Sequence, residues 1–188
     1  MKRFLIIVLL LSASVAVSAQ IFALKTDLVK WGTASINLEP EVRIGKKSTL
    51  SLGLSYNPWT YKSNKKWKHI LVQPEYRYWT CHPFGGHFLA IHPTYAHFNA
   101  GNVNSGFGLW KDLKNYRYQG NLYGGGVGYG YHWVLSPRWS FEVQVGVGVA
   151  YMKYNKYVCQ TCGDRIGSDS KLRFMPSKVA FQLVYMLK

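Results

Sequence analysis

Acidic residues are scarce in this sequence: eight Asp and Glu stand against 23 Lys and Arg in 188 residues, so the formal net charge is +15. Apolar runs are short, because no stretch approaches the about 20 residues that a membrane-spanning helix needs. The G-x-G-x-x-G, H-E-x-x-H, G-x-S-x-G and phosphate-loop motifs are all missing. These absences argue against helical membrane proteins and against the enzyme classes that those motifs mark.

The N-terminal segment has the three parts of a secretory signal peptide. Two basic residues open the chain, residues 4–11 form an apolar core, and small residues at 17–19 suit cleavage before Gln20. The apolar core is too short to act as a membrane anchor. We therefore predict a signal peptide over residues 1–19 and one exported domain over residues 20–188.

Residues 120–151 carry the clearest pattern, two alternating runs around a short turn at residues 136–138. A period of two places alternate side chains on opposite faces of a strand, so this stretch predicts a long hairpin. One face is apolar and aromatic, whereas the other consists of small and polar residues. Such a hairpin suits a membrane barrel, whose outside is apolar and whose interior is polar. A long hairpin in a soluble β-sandwich is the alternative.

Alternation elsewhere extends the prediction to eight strands. Connections are short at one end and mostly long at the other, as in outer-membrane barrels with both termini in the periplasm. We therefore predict an all-β fold, a monomeric, eight-stranded, antiparallel, up-and-down transmembrane β-barrel in the outer membrane. Pro40, Pro74 and Pro93 fall within predicted strands, where each indicates a bulge or a wrong boundary. The six strands outside the hairpin are predicted at 21–29, 35–44, 49–57, 67–80, 87–98 and 173–187, and long loops are predicted at 99–117 and 153–172.

Nine charged residues in the predicted strands share the polar parity. A lone charge that faced lipid would be costly, so this shared parity indicates a common polar interior. Side chains just fill the interior of an eight-stranded barrel, which predicts an ionic plug and not a pore. Catalytic or proton-carrying carboxylates, such as Glu39 with Glu41 or Glu75, are the alternative. The predicted network consists of Lys25, Asp27, Glu39, Glu41, Arg43, Glu75, Arg77, Glu142 and Lys178.

Most of the excess positive charge lies in the predicted loops. A cationic rim can bind the phosphates of nucleic acid or of lipid headgroups, and export disfavours nucleic acid. Two interpretations stay open, a rim that binds outer-membrane lipid such as lipopolysaccharide and a solvated rim with no specific partner. The candidate contacts are Lys62, Lys65, Lys66, Lys68, Lys111, Lys114 and Arg117.

Three cysteines remain in the exported domain, an odd number for an oxidising compartment. Cys159 and Cys162 form a C-x-x-C pair, which we interpret as a local loop disulfide. No second pair or histidine cluster stands at ligand spacing, so a zinc site is disfavoured. Cys81 is left over, and no metal or other cofactor is predicted.

An esterase would need a serine, a histidine and a carboxylate in contact. His97 has Ser105 and Asp112 nearby in the sequence, but both fall in a long loop. That signal is weak, and we predict no enzyme activity.

Several segments resemble one family along nearly the whole exported chain. They are NPWT at 57–60, NKKWKH at 64–69, LVQPEYRYW at 71–79, GHFL at 86–89 and FALKTDL at 22–28. Together they resemble the domain-of-unknown-function 3575 family. The resemblance implies a small exported β-barrel of Gram-negative outer membranes with no established catalytic residues. We predict a structural or surface-assembly accessory role. Some members of the family are thought to accompany fimbrial components, so the resemblance implies an alternative, a binding module for a fimbrial or other surface partner through the basic aromatic loops.

Overall fold

The computed structural model describes residues 22–61, 65–102, 116–158, 163 and 165–187, so the predicted signal peptide lies outside the described residues. Nine strands and one short helix make up the described chain. The strands are β1 (Phe22–Asp27), β2 (Ile36–Arg43), β3 (Ser48–Asn57), β4 (Thr60–Tyr61), β5 (Lys65–Trp79), β6 (Gly86–Gly101), β7 (Arg117–Val134), β8 (Trp139–Tyr157) and β9 (Arg165–Leu187), and the helix is α1 (Leu28–Gly32).

The strands form one antiparallel sheet in the order β3-β2-β1-β9-β8-β7-β6-β5-β4. A further pairing between β3 and β5 joins the two ends of this order. Eight strands therefore form a ring in which each has two neighbours, and the two-residue β4 attaches to the start of β5. The all-β, antiparallel prediction is confirmed, with β4 as an additional strand that the alternation did not indicate.

The two faces of the ring have opposite polarity. Outward side chains are apolar and exposed, as at Ile91 and Val127, which are both 58% exposed. Inward side chains are mostly polar or charged and buried, and Arg77 is 0% exposed. This arrangement follows from the period-two pattern, because successive side chains of a strand point to opposite faces.

The strand boundaries differ most from the prediction at two places. The first strand ends at Asp27, where the carboxylate accepts a hydrogen bond from the Val29 backbone N–H and caps α1. At the other end of the chain, residues 153–172 were predicted as a loop. β8 instead continues to Tyr157 and β9 begins at Arg165, so this region is largely an extended hairpin. The hairpin persists because its strands satisfy each other's backbone hydrogen bonds.

Pro40, Pro74 and Pro93 lie within strands and show neither the bulge nor the wrong boundary that we predicted as the alternatives at each of them. In the constant register of β5 and β6, Pro74 falls opposite Pro93, and the pairing is interrupted only around them. Two residues that lack a backbone N–H thus share one gap in the hydrogen bonding between β5 and β6. Pro40 lies in a similar gap between β2 and β3 while it pairs with Leu24 on the other side.

The connections divide the ring into two ends. The end with short turns at 44–47, 80–85 and 135–138 is called the turn end, and it also holds Phe22 and Leu187. The opposite end, called the loop end, holds α1 and the connections from β3 to β5, β6 to β7 and β8 to β9. Within the described residues, none of the helical segments has the length and apolar character needed to span a bilayer.

Candidate functional site

Arg77 on β5 lies at the centre of the charged interior and is completely buried. Its guanidinium donates hydrogen bonds to four carboxylates and one amide, and all three of its nitrogen atoms take part. Charge-assisted hydrogen bonds of this kind are roughly twice as strong as neutral ones. The acceptors are Glu75 Oε1 (2.5 Å), Glu142 Oε1 (2.8 Å), Glu39 Oε1 (2.9 Å), Glu41 Oε2 (3.1 Å) and Gln144 Oε1 (3.1 Å).

Two lysines complete the network on either side of Arg77. Lys25 on β1 contacts Glu41 and places its Nζ 2.9 Å from Glu142 Oε2. Lys178 on β9 places its Nζ 3.1 Å from Glu39 Oε2 and 3.3 Å from Glu75 Oε2. The ion pairs therefore connect β1, β2, β5, β8 and β9 across the interior.

Seven of the nine predicted network residues meet in this cluster, and two lie elsewhere. Asp27 is buried at the end of β1, where it caps α1 and has Lys30 Nζ at 3.7 Å. Arg43 is half-buried at the turn end, and its Nε donates to the Gly45 carbonyl at 3.0 Å. Both residues have the inward parity that the sequence predicted. They lie near the ends of their strands, however, and the cluster lies near the middle of the ring.

Four carboxylates and three cations share the cluster, and each of the seven contacts at least one opposite charge. Breaking such a set is costly because a remaining buried ion loses its compensation. Gln144 and Gln182 add neutral donors, with Nε2 to Glu75 Oε2 at 2.9 Å and Nε2 to Glu39 Oε2 at 2.8 Å. The arrangement fills the middle of the ring with fixed side chains.

Aromatic side chains close the interior below the cluster, toward the turn end. Phe88 lies under Arg77, and the guanidinium carbon is 4.7 Å from the Phe88 ring centroid. Trp79 packs on Phe88, with 4.8 Å between the two ring centroids. Phe84 belongs to the turn after β5, yet it is buried and lies 5.9 Å from Trp79. Its φ of 63° is unusual for a bulky residue, and burial of the ring against Trp79 compensates for that conformation.

Above the cluster, toward the loop end, the interior becomes apolar. A cavity of about 120 Å³ lies there. Beyond it Ala100, Tyr118, Met152 and Tyr154 form a buried apolar cluster. The cavity is lined by Leu71, Thr94, Ala96, Leu122, Gly124, Gly125, Gly148, Val149, Ala150, Met175, Pro176 and Ser177.

His92 on β6 connects the charged cluster to this cavity. Its Nδ1 lies 3.1 Å from Glu75 Oε2, and its Nε2 lies 2.9 Å from the hydroxyl oxygen of Ser177. Ser177 occupies a β-bulge, since Gly146 pairs with Lys178 and Val147 pairs with Pro176. The alternation placed Ser177 on the outer face, so the sequence analysis missed this contact. The signal that could have found it is the facing glycines, which leave the space for an extra inward side chain.

The predicted rim cations are only partly within the described residues. Lys68 lies on β5 near the loop end, and the Arg117 guanidinium lies 4.4 Å from the Tyr157 ring centroid. Lys66 precedes Lys68 on the same face of β5, and the backbone of Lys65 opens that strand. The remaining candidates, Lys62, Lys111 and Lys114, lie outside the described residues.

The extended hairpin of β8 and β9 adds an acid to the loop end. The backbone N–H of Ser170 and the hydroxyl of Tyr154 donate to Asp169, which lowers the pKa of that carboxyl below its ordinary value. Lys171 lies 3.6 Å from the same carboxylate. This exposed pair is solvated, so it contributes little to stability.

The described residues include one of the three cysteines. Cys81 is exposed and unpaired in the turn after β5, while Cys159 and Cys162 lie outside the described residues. In the described ranges, no three His, Cys, Asp or Glu side chains are grouped to hold a metal ion. His97 lies outward and contacts Asn121 at 2.7 Å, whereas its predicted partners Ser105 and Asp112 lie outside the described residues.

A family comparison covers nearly the whole chain. Residues 5–187 match the model of DUF3575, described as a protein of unknown function. The chain belongs to the DUF3575 family. The resemblance in the sequence is thereby confirmed, and the family's description names no activity. No curated protein and no solved structure matches the chain.

Proposed function

We propose that this DUF3575 protein is a small β-barrel that spans the outer membrane of a Gram-negative bacterium after its signal peptide is removed. The observation that carries the proposal is the polarity of the ring, apolar outside and charged inside. In a bilayer the outer side chains would meet lipid, and the closed ring would leave no strand edge with unsatisfied backbone groups.

A soluble location would be hard to reconcile with the outer surface. Soluble monomers rarely expose contiguous apolar patches larger than a few hundred Å². Here the outward rows run across neighbouring strands, since Ile91, Val127 and Val147 pair in one row and are each about half exposed. The aromatic residues Trp133 and Trp139 lie outward near the turn end, where interfacial aromatics of barrels are expected.

The filled interior supports a role without conduction. The cluster around Arg77 and the aromatic layer of Trp79, Phe84 and Phe88 occupy the cross-section of the ring. We infer a structural or surface-assembly accessory role, in which the barrel anchors its loop end at the cell surface. Association with cell-surface fibres, tested by co-purification, would assign the accessory role to fimbrial assembly.

Cell fractionation followed by bilayer recording tests the proposal. The protein should stay with the outer-membrane fraction after carbonate extraction, and purified protein should give no stepwise conductance in planar lipid bilayers. Recovery from the soluble periplasmic fraction would contradict the membrane location. Discrete channel openings would contradict the plug.

The charge of the loop end favours a second candidate function, binding of anionic groups such as lipopolysaccharide phosphates. Among the described residues there, cations outnumber the exposed acid Asp169, and basic surfaces attract phosphate-bearing lipid headgroups. The described cations at this end are Lys30, Lys66, Lys68, Lys153, Lys156, Arg117, Arg165, Lys171 and Arg173.

Neutralising two of these cations tests the second candidate. A variant with Lys66→Gln and Lys68→Gln should co-purify with less lipopolysaccharide than the parent. The matched control carries Lys46→Gln and Lys47→Gln at the turn end, which removes the same charge from the opposite side. Equal lipopolysaccharide in all three proteins would eliminate specific binding by these lysines.

A further inference from the structure

We propose that Ser177, His92 and Glu75 form a nucleophilic site that hydrolyses esters of fatty acids, with the acyl chain in the cavity above the charged cluster. This inference goes beyond the structural role and departs from the prediction of no catalysis. It does not depend on where the protein resides, because every residue in it lies inside the ring.

The contact geometry matches the order of a serine–histidine–carboxylate set. His92 Nε2 lies 2.9 Å from the Ser177 hydroxyl oxygen, and His92 Nδ1 lies 3.1 Å from Glu75 Oε2. The nucleophile thus meets one ring nitrogen and the carboxylate meets the other, which is the arrangement that recurs on unrelated folds. Nδ1 makes no well-aligned hydrogen bond at this ring orientation. Such bonds are often poorly aligned before substrate binds and tighten afterwards.

Local backbone structure is adapted to these side chains. The bulge turns two consecutive residues, Ser177 and Lys178, toward the interior, and bulges often re-aim a side chain next to an active site. A Cβ atom on Gly126 would lie 2.3 Å from the Ser177 hydroxyl oxygen. A Cβ on Gly146 would lie 3.0 Å from that oxygen and 3.3 Å from His92 Cε1. The two glycines therefore provide the space that the pair occupies.

Glu75 is held in place by the charged cluster. Gln144 Nε2 donates to Glu75 Oε2, and Arg77 Nε donates to Glu75 Oε1. These fixed contacts orient the carboxylate toward His92, where it would stabilise the imidazolium that forms when the serine loses its proton. Glu75 is therefore a positioning residue, and the surrounding ion pairs acquire a purpose beyond filling the ring.

The cavity indicates the class of substrate. Ser177 lines it together with apolar side chains such as Leu71, Leu122 and Met175, which suit a hydrocarbon chain. Thr94 lines it too, and its hydroxyl accepts from Gln73 Nε2 at 2.7 Å. The Thr94 proton is then oriented away from Gln73 and can be donated to an ester carbonyl oxygen. An acyl group with its carbonyl at Ser177 and its chain among the apolar side chains satisfies both features.

The reaction follows from these positions. Ser177 Oγ attacks the carbonyl carbon of the ester while His92 Nε2 takes the hydroxyl proton. The bond from the carbonyl carbon to the alcohol oxygen breaks, and His92 returns the proton to that oxygen. Water, deprotonated by His92, then attacks the acyl-serine, and the fatty acid leaves as the Ser177 hydroxyl regains its proton.

Labelling with an alkyl fluorophosphonate tests the site, with the full-length protein folded in detergent micelles. Mass spectrometry should find one adduct on Ser177, formed as its Oγ displaces fluoride. Ser177→Ala should abolish the adduct, and His92→Gln should slow labelling about 100-fold or more. Glu75→Asp should label faster than Glu75→Gln when both are compared as folded protein by gel mobility.

Ser55 supplies a matched control inside the same ring. Its hydroxyl oxygen lies 3.2 Å from His69 Nε2, but His69 Nδ1 faces the Trp67 carbonyl oxygen at 3.4 Å instead of a carboxylate. Ser55→Ala should label at the parent rate. An unlabelled folded parent, or an adduct that persists in Ser177→Ala, would overturn the proposal.

Two esters distinguish the source of the acyl group. p-Nitrophenyl octanoate supplies a soluble ester, and vesicles of phosphatidylethanolamine and phosphatidylglycerol supply bilayer lipid. Fatty acid released from the vesicles identifies membrane lipid as the source, whereas nitrophenol release alone identifies a soluble ester. A protein that is labelled at Ser177 but hydrolyses neither ester would overturn the hydrolytic step.

Discussion

Arg77 and Glu142 lie 65 positions apart in the chain and meet in the buried interior at 2.8 Å from Nη1 to Oε1. Arg77→Ala leaves this carboxylate and its neighbours without their central cation. We expect the free energy of unfolding to fall by about 3–5 kcal/mol. Urea unfolding in detergent micelles measures the change. Arg138→Ala at an exposed turn is the control, and it should lower the free energy of unfolding only slightly. An Arg77→Ala protein as stable as the parent would show that the cluster does not hold the ring together.

Close approach of β7 and β8 gives a second prediction. A Cβ atom on Gly148 would lie 2.1 Å from the Gly125 carbonyl oxygen and 2.7 Å from the Gly126 Cα. Both atoms belong to the backbone, so Gly148→Ala must push the strands apart and should cost about 1–3 kcal/mol. Gly167 has no atom within 4 Å of such a Cβ. Gly167→Ala should therefore unfold at the parent urea concentration, and equal losses in both variants would refute the packing argument.

The outer face gives a third prediction, which depends on lipid. Val127 lies midway along β7 and faces outward. In a bilayer, Val127→Lys should lower the free energy of unfolding by about 2–4 kcal/mol, because a cation at the midplane loses its hydration. Leu135→Lys in the turn after β7 should cost much less. If Val127→Lys is harmless when the protein unfolds from vesicles, this face does not contact hydrocarbon.

Orientation across the membrane gives a fourth prediction. Cys81 is exposed at the turn end, and Val158 is 57% exposed at the loop end. In a Cys159→Ser, Cys162→Ser background, a maleimide that cannot cross membranes should leave Cys81 unmodified in intact cells and modify it after permeabilisation. Adding Val158→Cys should give labelling in intact cells. The reverse pattern would place the turn end outside.

Alternation in the sequence predicted most of the fold, because the order of residues along a strand alone determines which side chains share a face. Glu39, Glu75 and Glu142 share the polar parity, and each lies inside the ring. Their actual partners depend on height and shear across the ring, which is why Arg43 shared the parity but not the cluster. Pairing across residues 153–172 also escaped prediction, since Asn155 and Gly167 read as turn residues.

The contact between His92 and Ser177 could not be predicted from alternation. A single bulge between Pro176 and Lys178 reverses the parity of everything before it on β9. Register shifts of this kind depend on how two strands pair, and the sequence of the strand that contains the bulge shows little sign of them. The glycines of β7 and β8 indicate free space in the sequence, but only the pairing with β9 shows that Ser177 fills the space at Gly126 and Gly146.

Gel mobility with and without boiling tests the central claim, that the chain is a closed barrel embedded in the outer membrane. Outer membranes would be solubilised in dodecyl sulfate, with and without reductant, and run as unboiled and boiled samples. We expect a faster-migrating band in the unboiled sample, because a closed ring of paired strands with a buried ionic cluster resists the detergent until it is heated. A single band at the unfolded position in both samples, with the protein recovered from the soluble periplasmic fraction, would contradict the claim.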